Sequence, residues 1–222
     1  MHFGVNPLGL ITVLAKDIGA LAQWEQRIWS AHNVTPEGGV SRELYAAQME
    51  VSPASTIAPE RRLPLALAEL DDAFASKHGQ PLLRDHDAVP SLLRRAQRFQ
   101  AAETDGILQL ARELTRLFTE RVNVDAILAI VPLVKGESKP GSLKAVERLI
   151  GHHRSPGEAK KVMAPLFGIY DLRLADAHLS SGNVESGLAR ASVDPKAAPA
   201  VQGRQLIGSF VDTLASITSA LS

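Results

Sequence analysis

Arg173 and His178, in the stretch Tyr170-Asp-Leu-Arg-Leu-Ala-Asp-Ala-His178, are the two side chains of this sequence whose types and spacing could do chemistry together. A guanidinium offers a planar fork that grips a phosphate through two hydrogen bonds, and an imidazole takes up or releases a proton near neutral pH. Asp171 and Asp176 stand beside them and could orient either one. Such a constellation calls for no cofactor and no metal. Other chemistries are excluded by composition or spacing. The chain has no cysteine, which removes a disulfide framework, a thiolate zinc site and a cysteine nucleophile. Its seven histidines, His2, His32, His78, His86, His152, His153 and His178, include no His-Glu-x-x-His or comparable ligand spacing. Neither a Gly-x-Ser-x-Gly elbow nor a Gly-x-x-x-x-Gly-Lys-Ser/Thr phosphate loop occurs.

The element that must position these groups is a late helix. Met163, Leu166, Phe167, Tyr170, Leu174 and Ala177 recur at helical spacing and form one apolar stripe, with Arg173 and His178 on opposite sides of it. Ser155-Pro-Gly-Glu158 supplies a start, with Ser155 as cap, Pro156 at the first helical position and Glu158 at capping-box spacing. Pro165 lies inside this helix and should kink it. On a straight helix, five positions place two side chains roughly 140° apart. Arg173 and His178 therefore converge only where the helix ends early or a second subunit supplies the partner. Asp171 and His178, seven apart, share a face, so Asp171 reaches the imidazole only across a bend or turn. Without convergence, Arg173 pairs with Asp171 or Asp176 and His178 serves the helix C-terminus, where a cation meets the dipole favourably.

The remaining elements read as scaffold. Asn6-Pro7 looks like a helix start continued by Leu10, Ile11, Leu14, Ile18 and Leu21 to about Trp29, and Ser41 caps a second helix. A helix from Pro59 carries Leu63, Leu67, Leu70 and Phe74 to about His78. The basic run Arg94-Arg-Ala-Gln-Arg98 reads as a solvated helix face, with phosphate contact as the sharper alternative. Ile107, Leu110, Leu114, Leu117 and Phe118 mark an amphipathic helix ending near Asn123. Val124 to Val134 is a short buried helix or a strand, Ser142 caps a helix through Ile150, and Gln205 to Leu221 is the last helix. The expected fold is all-α, a helical bundle with a soft boundary near residue 100. Residues 1–100 would be an N-terminal helical region and 101–222 a bundle of four or five helices.

At 45% hydrophobic over 222 residues, the chain can bury a sizeable core. Lys+Arg and Asp+Glu both number 24, so no overall field draws it to nucleic acid or an anionic membrane, and any nucleic-acid site must be local. The apolar run from Leu8 to Ala15 is too short to span a bilayer. A cytoplasmic location fits the lack of cysteine. Because the apolar pattern begins at Phe3 with hardly any polar lead-in, the chain reads as a piece of a longer protein.

On these residues, an arginine and histidine on a late helix of an all-α bundle, the stretch from Tyr170 to His178 resembles the Arg-x4–6-His motif of HEPN domains. The resemblance covers at most residues 101–222. The same spacing recurs at Arg27…His32 and Arg148…His153, so the surrounding Leu-Arg…Asp-Ala-His-Leu and the flanking helices single out this copy. Leu174 stands where family members often carry Asn, Asp or His. The family is a four- or five-helix domain, commonly dimeric, found in metal-independent ribonucleases of toxin–antitoxin and antiphage systems and also in non-catalytic members. The resemblance implies an RNA substrate and a homodimer, with an antitoxin or a larger protein as partner. It makes His178 the base or acid for the 2′-hydroxyl proton and Arg173 the holder of phosphorane charge, with Asp171 or Asp176 in support. The competing expectation is a non-catalytic helical module for dimerisation or partner contact.

Overall fold

In the computed structural model, which describes residues 3–6, 8–51, 58–101, 104–175 and 181–221, Asn6 joins two strands instead of capping a helix. β1 (Phe3–Val5) and β2 (Ile11–Val13) pair antiparallel, with Phe3 opposite Val13 and Val5 opposite Ile11. The buried Asn6 side chain accepts from the amides of Leu8 and Leu10, both at 3.0 Å. Its amide nitrogen donates to the carbonyls of Glu37 at 2.6 Å and Gly39 at 3.1 Å. Gly9 adopts φ +81°, a left-handed conformation open to glycine. The expected helix from Asn6 to Trp29 is thus corrected to a hairpin followed by α1 (Ala15–Gly19) and α2 (Gln23–Ala31). The physical reason is local: a polar side chain able to satisfy four backbone groups outcompetes the helix ladder, and β-branched Ile11, Thr12 and Val13 suit extended backbone. Ser41 caps α3 (Arg42–Met49) as expected, accepting from the Leu44 amide at 3.3 Å. One face of the hairpin lies against this cap, since a Cβ on Gly4 would fall 1.8 Å from Ser41 Oγ.

These elements form one compact unit, Met1–Ile57, and Ala58–Ser222 forms the other. The second holds α4 (Pro59–His78), α5 (Val89–Arg95), a short 3-10 turn (Arg98–Gln100), α6 (Thr104–Leu117), α7 (Val124–Ile130), α8 (Ser142–His153), α9 (Pro156–Ala175), α10 (Ser181–Arg190) and α11 (Pro199–Leu221). The fold is predominantly all-α, as expected, with the two-stranded sheet as its addition among the described residues. The units part at residue 57, not near residue 100, because α4 packs along α11 and carries Leu63, Leu67, Leu70 and Phe74 into the same core. α4 ends at Gly79, whose φ of +71° forms a left-handed cap that donates to Ala75.

α6 stops at Leu117, earlier than its periodicity suggests, and Asn123 instead caps α7 by accepting from the Ala126 amide at 3.2 Å. Residues 124–130 are therefore the helical alternative. Residues 181–190 form the helix α10. α9 is central, in contact with α6, α8, α10 and α11. No helix among the described residues is long and apolar enough to cross a membrane.

Candidate functional site

α9 begins as its sequence directs. Ser155 Oγ accepts from the Glu158 amide at 3.2 Å and donates to the Glu158 carboxylate at 2.8 Å. The helix passes through Pro165 as one element. Its buried positions are Ala159, Met163, Leu166, Gly168, Ile169, Leu172 and Ala175, while Phe167 and Tyr170 are partly buried and Leu174 is 45% exposed. The stripe expected through Leu174 is therefore rotated. Four neighbouring helices bury more than one side of α9, so a single amphipathic face does not describe it.

Arg173 and Asp171, on different sides of α9, pair with separate elements. The Arg173 guanidinium lies 2.9 Å from the Glu120 carboxylate in the turn after α6, and 5.6 Å over the Tyr170 ring. Glu120 is also 3.9 Å from Arg116. Asp171 accepts from Arg190 of α10 at 2.9 Å, and Arg190 itself lies over Phe167 at 5.1 Å. Arg173 is thus paired, though not with Asp171. Asp176 and His178 lie outside the described residues. Glu120 and Arg190 carry no local sequence signal that points to these roles, since each is brought to α9 by helix packing.

Two arginines of the basic run act as clamps. In the run from Arg94, Arg95 grips Glu113 through two bonds of 3.0 Å, and Arg98 grips Glu60 through two of 2.7 Å. The sharper alternative, phosphate contact, therefore meets a carboxylate already in place at both arginines. Burial by itself would raise the Glu60 carboxyl, but hydrogen bonds from the Arg98 side chain, from backbone amides and the nearby positive charge hold it below its ordinary value. Arg121 is lowered, chiefly by burial, against the pull of Asp71 and Asp85.

The two further Arg-x4-His spacings do not bring their own members together. His32 ends α2 with Nδ1 2.9 Å from the Ile28 carbonyl. Arg148 is held by Glu137 at 2.9 Å and by the Pro132 carbonyl at 2.6 Å. His153 ends α8, and its Nε2 is buried without a hydrogen-bond partner. No group of three His, Asp or Glu side chains among the described residues is placed to hold a metal ion. No protein-family model, curated protein or solved structure matches the chain.

Proposed function

We propose that the chain is a non-catalytic helical module that self-associates through its first unit. The observation that carries this reading is the face of the hairpin opposite Ser41. Phe3, Val5 and Ile11 share that face and are 61%, 36% and 57% exposed; elsewhere in the unit α2 also exposes Trp24 at 64% and Ile28 at 51%, one turn apart. Two strands of three residues are marginal alone, and their open edges invite another strand. A strand from a second copy would extend the sheet and cover its apolar face. The pairing of Arg173 with Glu120 and of Asp171 with Arg190 supports a structural role for those residues.

Light scattering across a concentration range tests the reading. The expected mass is twice 23.8 kDa, reduced to that of one chain by Phe3→Ser with Ile11→Ser while the helical circular dichroism is retained. A wild-type protein that stays at one chain's mass up to high concentration removes the proposal.

A second reading, a HEPN-like metal-independent ribonuclease of a toxin–antitoxin or antiphage system, is favoured by one observation. Arg173 keeps 33% of its side chain in solvent and Glu120 42%. An exposed pair of this kind contributes ~1 kcal/mol or less, so an RNA phosphate could displace the carboxylate. In this reading Arg173 holds the phosphate and His178 moves the proton, with Asp171 or Asp176 in support. RNA cleavage in the presence of chelator, abolished by both Arg173→Ala and His178→Ala, is its expected signature. Cleavage that survives both substitutions, or no cleavage at all, leaves the module.

A further inference from the structure

The spacing Arg148…His153 leads to a different constellation. His152, not His153, shares a helix face with Arg148, because four positions return to the same side of α8 and five do not. Lys144 lies one turn before Arg148, and these three side chains join Lys160 of α9 around a cleft of about 430 Å³. Val131, Pro156 and Ala159 supply much of its apolar lining. This volume falls within the roughly 300–1,000 Å³ of sites that hold small organic ligands.

The net charge of the cleft is positive. Lys144, Arg148 and Lys160 face a single lining carboxylate, Glu147, which leaves a net +2. Counting Glu137, which holds Arg148 from outside the lining, the net is +1. Glu147 is engaged by Lys144 at 2.6 Å. Lys160 and His152 are exposed, and neither takes part in an ion pair among the described residues. Arg148 Nε is a buried donor without an acceptor. A bare inorganic anion would leave the apolar wall wet, and an uncharged apolar molecule would leave the cations unanswered.

We infer that the α8–α9 cleft binds a small organic anion. Its apolar body lies against Val131, Pro156 and Ala159, and its acidic head, a carboxylate or a phosphate ester, faces Lys160, His152 and Arg148. The site is in the second unit and does not depend on either reading of the first unit or of Arg173.

Amide chemical shifts of the full chain, titrated with 4-phenylbutyrate, phenyl phosphate, 4-phenylbutanol and inorganic phosphate, test the inference. Phenylbutyrate or phenyl phosphate should shift amides of α8 and the start of α9 and bind at least tenfold tighter than the alcohol or inorganic phosphate. The tighter of the two identifies the head. Lys160→Glu, at an exposed position, should weaken that probe at least tenfold with an unchanged melting temperature, and His152→Ala provides a second check by removing the ring as a hydrogen-bonding partner. Equal binding of acid and alcohol, shifts confined to other elements, no shifts at millimolar probe, or unchanged affinity in both variants would overturn it.

Discussion

His78 and His153 sit where protonation is resisted. They end α4 and α8 with ring centroids 6.1 Å apart, Phe74 stacks 4.7 Å from His78, and both Nε2 atoms are buried without acceptors. Lys77, His152 and Arg154 surround them. Lys77 donates to the Leu221 carbonyl and Arg154 to the Ser219 carbonyl at 3.0 Å, so two of these cations serve the end of α11. Burial first, then the neighbouring positive charges, lower both imidazoles from their ordinary 6.5. The unfolded chain therefore binds protons more readily as the pH falls below that value. The stabilisation is present above about pH 6.5 and is lost as pH falls through the depressed folded values. The urea midpoint should drop between about pH 7.5 and about pH 5, and His153→Leu should flatten that dependence. A midpoint that rises on acidification contradicts the burial argument.

At the scale of the element, α9 and α10 approach closely enough to admit only glycine at one position. A Cβ on Gly168 would lie 2.4 Å from the Ala191 nitrogen and 2.8 Å from the Gly187 oxygen, both backbone atoms that cannot yield independently. A Cβ on Gly187 meets the Leu172 side chain at 3.0 Å, which can turn aside. Gly168→Ala should destabilise by about 2 kcal/mol despite the roughly 1 kcal/mol gained in helix propensity, whereas Gly187→Ala should change stability by less than ~1 kcal/mol. Chemical denaturation of the two variants checks the contrast. The sequence marks α9 as a helix through Ser155, Glu158 and its apolar spacing. It does not reveal that two glycines inside apolar helices are a contact, because that depends on which helix lies alongside.

Over the whole molecule, the large buried cluster runs from Leu63 to Leu221 and lies entirely within Ala58–Ser222. The second unit therefore carries a complete core of its own. A chain shortened to Ala58–Ser222 should keep its helical content and melt cooperatively within a few degrees of the full protein. Loss of cooperative melting would show that the first unit contributes to that core. The boundary expected near residue 100 follows from a loss of clear periodicity over residues 81–100. That stretch holds together by other means: Arg98 clamps Glu60, and Gly203 of α11 packs so closely that a Cβ there would fall 2.5 Å from the Arg98 carbonyl oxygen.

The sequence by itself determined what depends on neighbours within a turn or two. The all-α class, the caps at Ser41 and Ser155, and the span of α4 follow from apolar spacing and local hydrogen bonding, whereas α11 begins at Pro199, ahead of the expected Gln205, and α8 runs on to His153 with Gly141, not Ser142, as its cap. Asn6 shows the limit of such reading, since one side chain suits a helix cap and a hairpin alike until the Glu37 and Gly39 carbonyls arrive to accept its donors. Tertiary structure alone decided the candidate site. Glu120 and Arg190 reach Arg173 and Asp171 because α6 and α10 pack on α9, and the cationic cleft exists because α8 and α9 meet there. Charges find partners through space, and a motif in one helix cannot specify which carboxylate the fold will bring to its arginine.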